Sequence, residues 1–327
     1  MSVRERKTTA AARRRAGGLG CAAAAAGLLV AGSGPVATGR PAAPAPGRPL
    51  SVLISNDDGF RHPYIRALQA ALKKAGHTAV IVAPAQDMSG HGTRMTFTPG
   101  ASLRAEETEP DVWSVGGSPG DSVAFGVQRV FTARTGRPPD LVVSGVNPGP
   151  NTGFAVNHSG TVGATVAAAD AGVPALAVSA GYDAGDPRNP FPSAARAVDF
   201  TVRTVARLAA TAHGGALLPY GTALNVNYPA RPDGGLAFTN VGTARHVAVG
   251  YVPDPATCAT CYKVRLEQDP DAPERVPAAD TTALAANDVS VSLLTGDWGA
   301  RGFAPARRPP SGKEAERTRA RLYGLRP

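Results

Sequence analysis

Two adjacent carboxylates, Asp57 and Asp58, stand in the stretch Asn56-Asp57-Asp58-Gly59, directly after the apolar run Val52-Leu53-Ile54. Two neighbouring negative charges that lose hydration repel each other and need a cation or hydrogen-bond donors beside them. Further along, Ser159-Gly160-Thr161 opens an Ala-rich helix, and such a helix start turns backbone N–H groups and hydroxyls toward an anion. Each group also has a plainer reading. Asn-Asp-Asp-Gly serves equally as a turn and cap, and Ser159 as an ordinary N-cap. His62, His91 and His158 lie in or beside the same polar loops. His91, two residues past Ser89, is the best of them for protonating a leaving oxygen, against the plainer reading of a loop histidine on the surface. Cys258 and Cys261 form a lone Cys-x-x-Cys with no second Cys or His pair at ligand spacing, so a local disulfide is favoured over half a zinc site.

The elements that must position these groups follow from apolar periodicity. Val52-Leu53-Ile54 reads as a buried parallel strand. Pro63 suits the first turn of a helix, and Ile65, Leu68, Leu72 and Ala75 recur at helical spacing until Gly76. Thr78 to Pro84 reads as the next strand, giving a βαβ unit with a right-handed crossover. In an open α/β sheet the loops leaving the carboxyl ends of strands bind ligands. The loops 56–59 and 86–93 therefore reach one rim. Residues 94–115 read as a hairpin with short strands at Met95-Thr96-Phe97 and Val112 to Val115. Val123 to Thr132, Val162 to Ala171 and Ser193 to Ala212 read as helices. Leu141 to Ser144, Pro174 to Ala180 and Ala223 to Pro229 read as strands. Residues 236–295 look β-rich.

The chain has 327 residues, 43% hydrophobic and 18% charged, ample for one large α/β domain. Its net charge of +9 is concentrated at the ends: residues 1–40 and 301–327 carry +6 each, leaving residues 41–300 at −3. A nucleic-acid-binding domain shows a basic face within its fold, so no nucleic-acid partner is expected. Residues 1–39 read as an export signal. Arg4, Arg6, Lys7 and Arg13-Arg14-Arg15 precede a short Ala-rich apolar stretch, Leu19 to Ala31, and small residues follow. That stretch is too short for a stable membrane span. Arg13-Arg14 allows a twin-arginine route as well as the general one. The plainer reading is an Ala-rich tail on a cytoplasmic protein. Residues 40–49 read as a Pro/Ala linker, 50–297 as the folded domain, and 298–327 as a basic tail with partial disorder.

Four separated motifs sit in sequence order: SNDDG at 55–59, APAQDMSG at 83–90, GSPGDS at 117–122, and SGVNPGPNTG leading to HSGTVGAT over 144–165. Together they resemble the SurE family of survival-protein nucleotidases, with looser similarity continuing to about residue 297. The resemblance implies an α/β, Rossmann-like three-layer core with a parallel sheet and a β-rich C-terminal extension exchanged within a homodimer or homotetramer. It implies a divalent-metal-dependent phosphomonoesterase acting on nucleoside 5′/3′-monophosphates, with Asp57 and Asp58 as catalytic residues. Asp57, Asp58, Ser89 and Asn147 are the implied metal ligands, and Asn151, Ser159, Gly160 and Thr161 the implied phosphate contacts. Two carboxylates, a hydroxyl and an amide oxygen form a hard set suited to one Mg²⁺ or Mn²⁺. The chain departs from the family at Ala85-Gln86-Asp87-Met88, where basic residues are usual, at Pro148, at Gly120, and in its export signal. These departures bear on substrate and compartment. The alternatives are a phosphatase for polyphosphate or other extracellular esters, and a non-catalytic nucleotide- or phosphate-binding protein on the same fold.

Overall fold

The computed structural model describes residues 47–212, 215–269, 271–296 and 312–325. The signal read over residues 1–39, most of the linker, residue 297, and residues 298–311 and 326–327 of the tail lie outside the described residues. Strand β1 (Ser51–Ser55) is buried along its whole length, as a central parallel strand covered on both faces must be. Helix α1 (Pro63–Lys74) follows, with Pro63 in its first turn and the His62 side chain accepting from the Tyr64 N–H. Gly76, at φ +89, turns the chain into β2 (Thr78–Pro84). After β3 (Ala105–Glu109) and β4 (Val112–Val115) comes a helical run: α2 (Pro119–Phe125), a π-helical turn (Gly126–Phe131) and α3 (Thr132–Thr135). Then come β5 (Leu141–Pro148), α4 (Gly160–Asp170), β6 (Ala175–Ala180), α5 (Ala194–Thr211) and β7 (Thr222–Tyr228). The chain ends with β8 (Leu236–Thr239), β9 (Val247–Pro253), β10 (Tyr262–Gln268), α6 (Asp280–Ala285), β11 (Val289–Thr295) and α7 (Gly312–Leu322).

The main sheet runs β3-β4-β2-β1-β5-β6-β7-β11-β8. Its core from β4 to β7 is parallel; β3 and β11 run antiparallel to their neighbours β4 and β7. Alternate strand residues feed two apolar clusters. Val52 and Ile54 pack with α1 and α5 on one face, and Leu53, Val80 and Val82 with α2 and α4 on the other. The result is a three-layer, Rossmann-like α/β fold with β1 and β5 in the middle of its sheet. Gly126 allows the close layer contact: a Cβ there would lie 2.3 Å from Leu53 Cδ1.

One expectation is corrected and two are refined. The hairpin strand before β4 is Ala105–Glu109, not Met95-Thr96-Phe97. The Thr96 N–H and hydroxyl are held by Asp121 (2.8 and 3.1 Å), which takes that backbone out of any ladder. The β-rich region interposes α6 over Asp280–Ala285, and β9 and β10 form a separate two-stranded sheet. The tail is helical over Gly312–Leu322, with Leu322 buried and Arg321 bonded to Thr211 and to the Leu208 and Ala216 carbonyls. Cys258 and Cys261 are joined in a disulfide beside this second sheet. Among the described residues no helix is long and apolar enough to cross a membrane.

Candidate active site

The carboxyl ends of β1, β2 and β5 bring three polar loops to one rim. Asp57, buried, and Asp58, half-buried, leave β1; their turn is fixed by Asn56, which accepts from the Gly59 N–H and donates to its carbonyl. Helix α4 points its first turn at this pair. Thr161 Oγ1 donates to Asp57 Oδ1 at 2.6 Å. Gly160 lies so close that a Cβ would stand 2.7 Å from Asp57 Cβ. Ser159 caps the helix by accepting from the Val162 N–H. The anion-type helix start and the first carboxylate are therefore one assembly.

The loop after β2 closes over the same point. The Met88 N–H donates to the Asp57 carbonyl (2.7 Å), the Ser89 N–H to Asp87 Oδ1 (2.8 Å), and the Gly92 N–H to the His158 carbonyl (3.1 Å). Asp87 is a third carboxylate here, felt by both Asp57 and Asp58. Burial, then Asp57, then Asp87 push the Asp58 carboxyl up to about 7. Burial likewise raises Asp57, against the Thr161 hydrogen bond. Asp58 Oδ2 is buried and has no hydrogen-bond partner. An orphaned carboxylate oxygen amid mutually repelling acids is a place a cation fits.

Asn147 reaches the rim on β5, one strand from β1, beyond an irregularity between Ser144 and Asn147. Its amide N–H donates to the Gly149 carbonyl at 2.7 Å, and its amide oxygen keeps its lone pairs. Ser89 is exposed. Neither the Ser89 nor the Asn147 side chain is hydrogen-bonded to the aspartates, so topology, not direct contact, groups the four implied ligands. Among the described residues no group of three or more His, Cys, Asp and Glu is arranged to hold a metal; a set completed by Ser and Asn would be of a different kind.

Asn151 is buried deeper than its implied role required. Its N–H donates to Asn227 Oδ1, its carbonyl accepts from Asn225 and Asn227, and its amide donates to Ser179. Its amide has one further N–H to give. Sequence reasoning missed the support behind it. Asp280, on α6, accepts from the Gly153 and Gly242 N–H groups, and Glu274 accepts from Thr243, Ala244, Val276 and Thr281. Burial pushes Asp280 up, whereas the donors around Glu274 hold it well below the ordinary range. The only sequence signal for this was the Asp280-Thr281-Thr282 stretch. His91 Nδ1 faces the Met88 and Ser89 carbonyls (2.9 and 3.2 Å). Two acceptors there place the proton on Nδ1 and leave Nε2 free. His62 also lies within reach of Asp87 and Asp57, and burial lowers it.

Comparison with known proteins gives a consistent result. Residues 52–248 match the family described as Survival protein SurE. A curated relative named 5′-nucleotidase SurE, from Desulfatibacillum aliphaticivorans, is 40% identical over 188 residues, 56% of this chain and 67% of that protein. One of the same name from Thermosynechococcus vestitus is 34% identical over 259 residues, 76% of this chain and 91% of that protein. The crystal structure of SurE protein from Aquifex aeolicus is similar at a TM-score of 0.61 and 30% identity, covering 76% of this chain and 94% of that one.

Proposed function

The chain belongs to the SurE family, and from that membership and the rim geometry we propose that it is a nucleotidase, a phosphomonoesterase that hydrolyses nucleoside 5′/3′-monophosphates with one divalent cation, Mg²⁺ or Mn²⁺. The observation that carries the reading is Asp58 Oδ2, buried without a donor beside Asp57, with the first turn of α4 against the same pair. The relatives' printed name, 5′-nucleotidase, supports the substrate class.

In this reading Asp57, Asp58, Ser89 and Asn147 hold the ion through oxygen, a hard donor set suited to Mg²⁺ or Mn²⁺. A bound ion supplies an activated water and offsets charge on the phosphoryl group. Thr161 fixes the direction of Asp57 through its 2.6 Å hydrogen bond. Ser159, Gly160 and the remaining Asn151 N–H orient phosphate oxygens at the positive end of α4. His91 offers Nε2 for a proton passing to or from the ester oxygen. The exposed apolar hairpin β9–β10 supports assembly into at least a homodimer. The basic, Ala-rich N-terminus supports export, with cleavage between about Ser33 and Ala45; an intact Met1 on cytosolic material from a native-like host would rule this out.

The test is phosphate release from nucleoside 5′- and 3′-monophosphates, polyphosphate and simple phosphate esters, each with Mg²⁺, Mn²⁺ or EDTA. Nucleotide hydrolysis that stops with EDTA is expected. Hydrolysis indifferent to EDTA, or none of any nucleotide, contradicts the reading.

A further inference from the structure

Three side chains outside the phosphate-ester machinery form a surface cluster beside it. Phe154 and His158 have ring centroids 4.6 Å apart at 51°, and the Arg245 guanidinium carbon lies 5.2 Å from the Phe154 centroid. His158 and Arg245 are exposed and Phe154 is half-buried. Phe154 belongs to none of the three apolar clusters among the described residues, so core packing does not account for it.

The backbone under the cluster is tied down on every side. The Phe154 N–H donates to the Ala244 carbonyl (3.3 Å), which holds the loop segment before Arg245 beside it. Gly153, at φ +53, lets these segments meet, since a Cβ there would stand 2.7 Å from Ala244 O. The His158 N–H donates to the Ala155 carbonyl, and the His158 carbonyl accepts from Gly92 in the Ser89 loop. His158 directly precedes Ser159, the cap of α4. An arene–imidazole–guanidinium surface one residue from the phosphate turn presents π faces and a cation.

We propose that Phe154, His158 and Arg245 form the platform on which the base of the nucleoside monophosphate stacks. This rests on the nucleotidase reading and names its base-binding residues. Stacking accepts any base because every base has a π face, and the larger purine face stacks more strongly. The platform therefore confers preference for nucleotides over phosphate esters that lack a base, with purines ahead of pyrimidines. It makes no edge-specific distinction between adenine and guanine.

The test compares wild type, Phe154→Leu and Phe154→Tyr in two measurements. One is the ratio of kcat/KM for adenosine 5′-monophosphate to that for ribose 5-phosphate, with Mn²⁺. The other is the affinity for adenosine, which has no phosphate, by calorimetry at millimolar concentrations. Phe154→Leu keeps apolar bulk and removes the ring, and should lower both the ratio and the adenosine affinity roughly tenfold, as loss of one stacked face implies. Phe154→Tyr should restore both. An unchanged ratio, an equal loss on the two esters, or wild type that binds no adenosine overturns the platform. If neither ester is hydrolysed while adenosine binds and weakens in Phe154→Leu, the platform stands and the nucleotidase reading falls.

Discussion

Gly160 is where the two halves of the site touch, and its lack of a side chain is what lets them. Alanine in an unobstructed helix is more favourable than glycine by up to about 1 kcal/mol. Here its Cβ would be 2.7 Å from Asp57 Cβ and 2.9 Å from Asp57 Oδ2, so Asp57 or α4 must move. Gly160→Ala should destabilise by about 1–3 kcal/mol and lower kcat about a hundredfold through the misplaced carboxylate. Urea melts and initial rates check this; a more stable, fully active variant would show the contact to be loose. At this scale the adjacent aspartates and the Ser159-Gly160-Thr161 turn were legible from residue type and position after a strand. The Thr161–Asp57 hydrogen bond was not, because it joins residues 104 apart in sequence. The commitment of Asn151 to Ser179, Asn225 and Asn227 was hidden likewise, since no local pattern reports a contact between a loop and distant strands.

The position of the rim depends on how β1 and β5 are registered. Their lower ends are joined by Asp140, fully buried, which accepts from the Ser51 N–H and hydroxyl and pairs with Arg48 and Arg137. Burial alone would raise this carboxyl, but the Arg137 and Ser51 hydrogen bonds outweigh it and hold it below the ordinary range. Asp140→Asn should cost about 2 kcal/mol, the usual scale for hydrogen bonds to a charged group. A lowered native value means the contribution is complete above roughly pH 4, the ordinary aspartate range, and fades as pH falls through the native value of Asp140. Urea melts of both proteins across acid pH should therefore converge; a gap that persists or widens in acid contradicts this. The buried parallel strands were legible as continuous apolar runs. β3 was not, because its sequence, AEETE, is charged and exposed at an edge, and Met95-Thr96-Phe97 imitated a strand while its Thr96 donors went to Asp121.

At the scale of the molecule, the hairpin β9–β10 carries an exposed apolar face among the described residues. Its register sets Tyr251 opposite Val264 and Val249 opposite Leu266, so all four share one face. They are 50–68% exposed. A two-stranded ribbon is marginal by itself, and an apolar face of this kind marks an interface. A second copy covering it should make the protein at least a dimer by light scattering, and Tyr251→Ser with Leu266→Ser should release monomer. Wild type that is monomeric and active at low concentration contradicts this. The β-rich character of residues 236–295 was legible; the insertion of β8 and β11 into the main sheet was not, because β8 lies 53 residues from its partner register on β11.

The central claim is that Asp57 and Asp58 hold a catalytic cation. Asn at position 57 keeps the size and an acceptor oxygen but removes the charge that holds the ion. The decisive measurement is hydrolysis of a nucleoside monophosphate with Mn²⁺ by wild type and Asp57→Asn, alongside thermal melts with and without Mn²⁺. A ligand that binds the native state raises the melting temperature of the protein that binds it. Asp57→Asn should fold, lose activity, and gain no melting temperature from Mn²⁺ while wild type does. An Asp57→Asn protein with wild-type turnover, or equal metal stabilisation of both proteins, would contradict it.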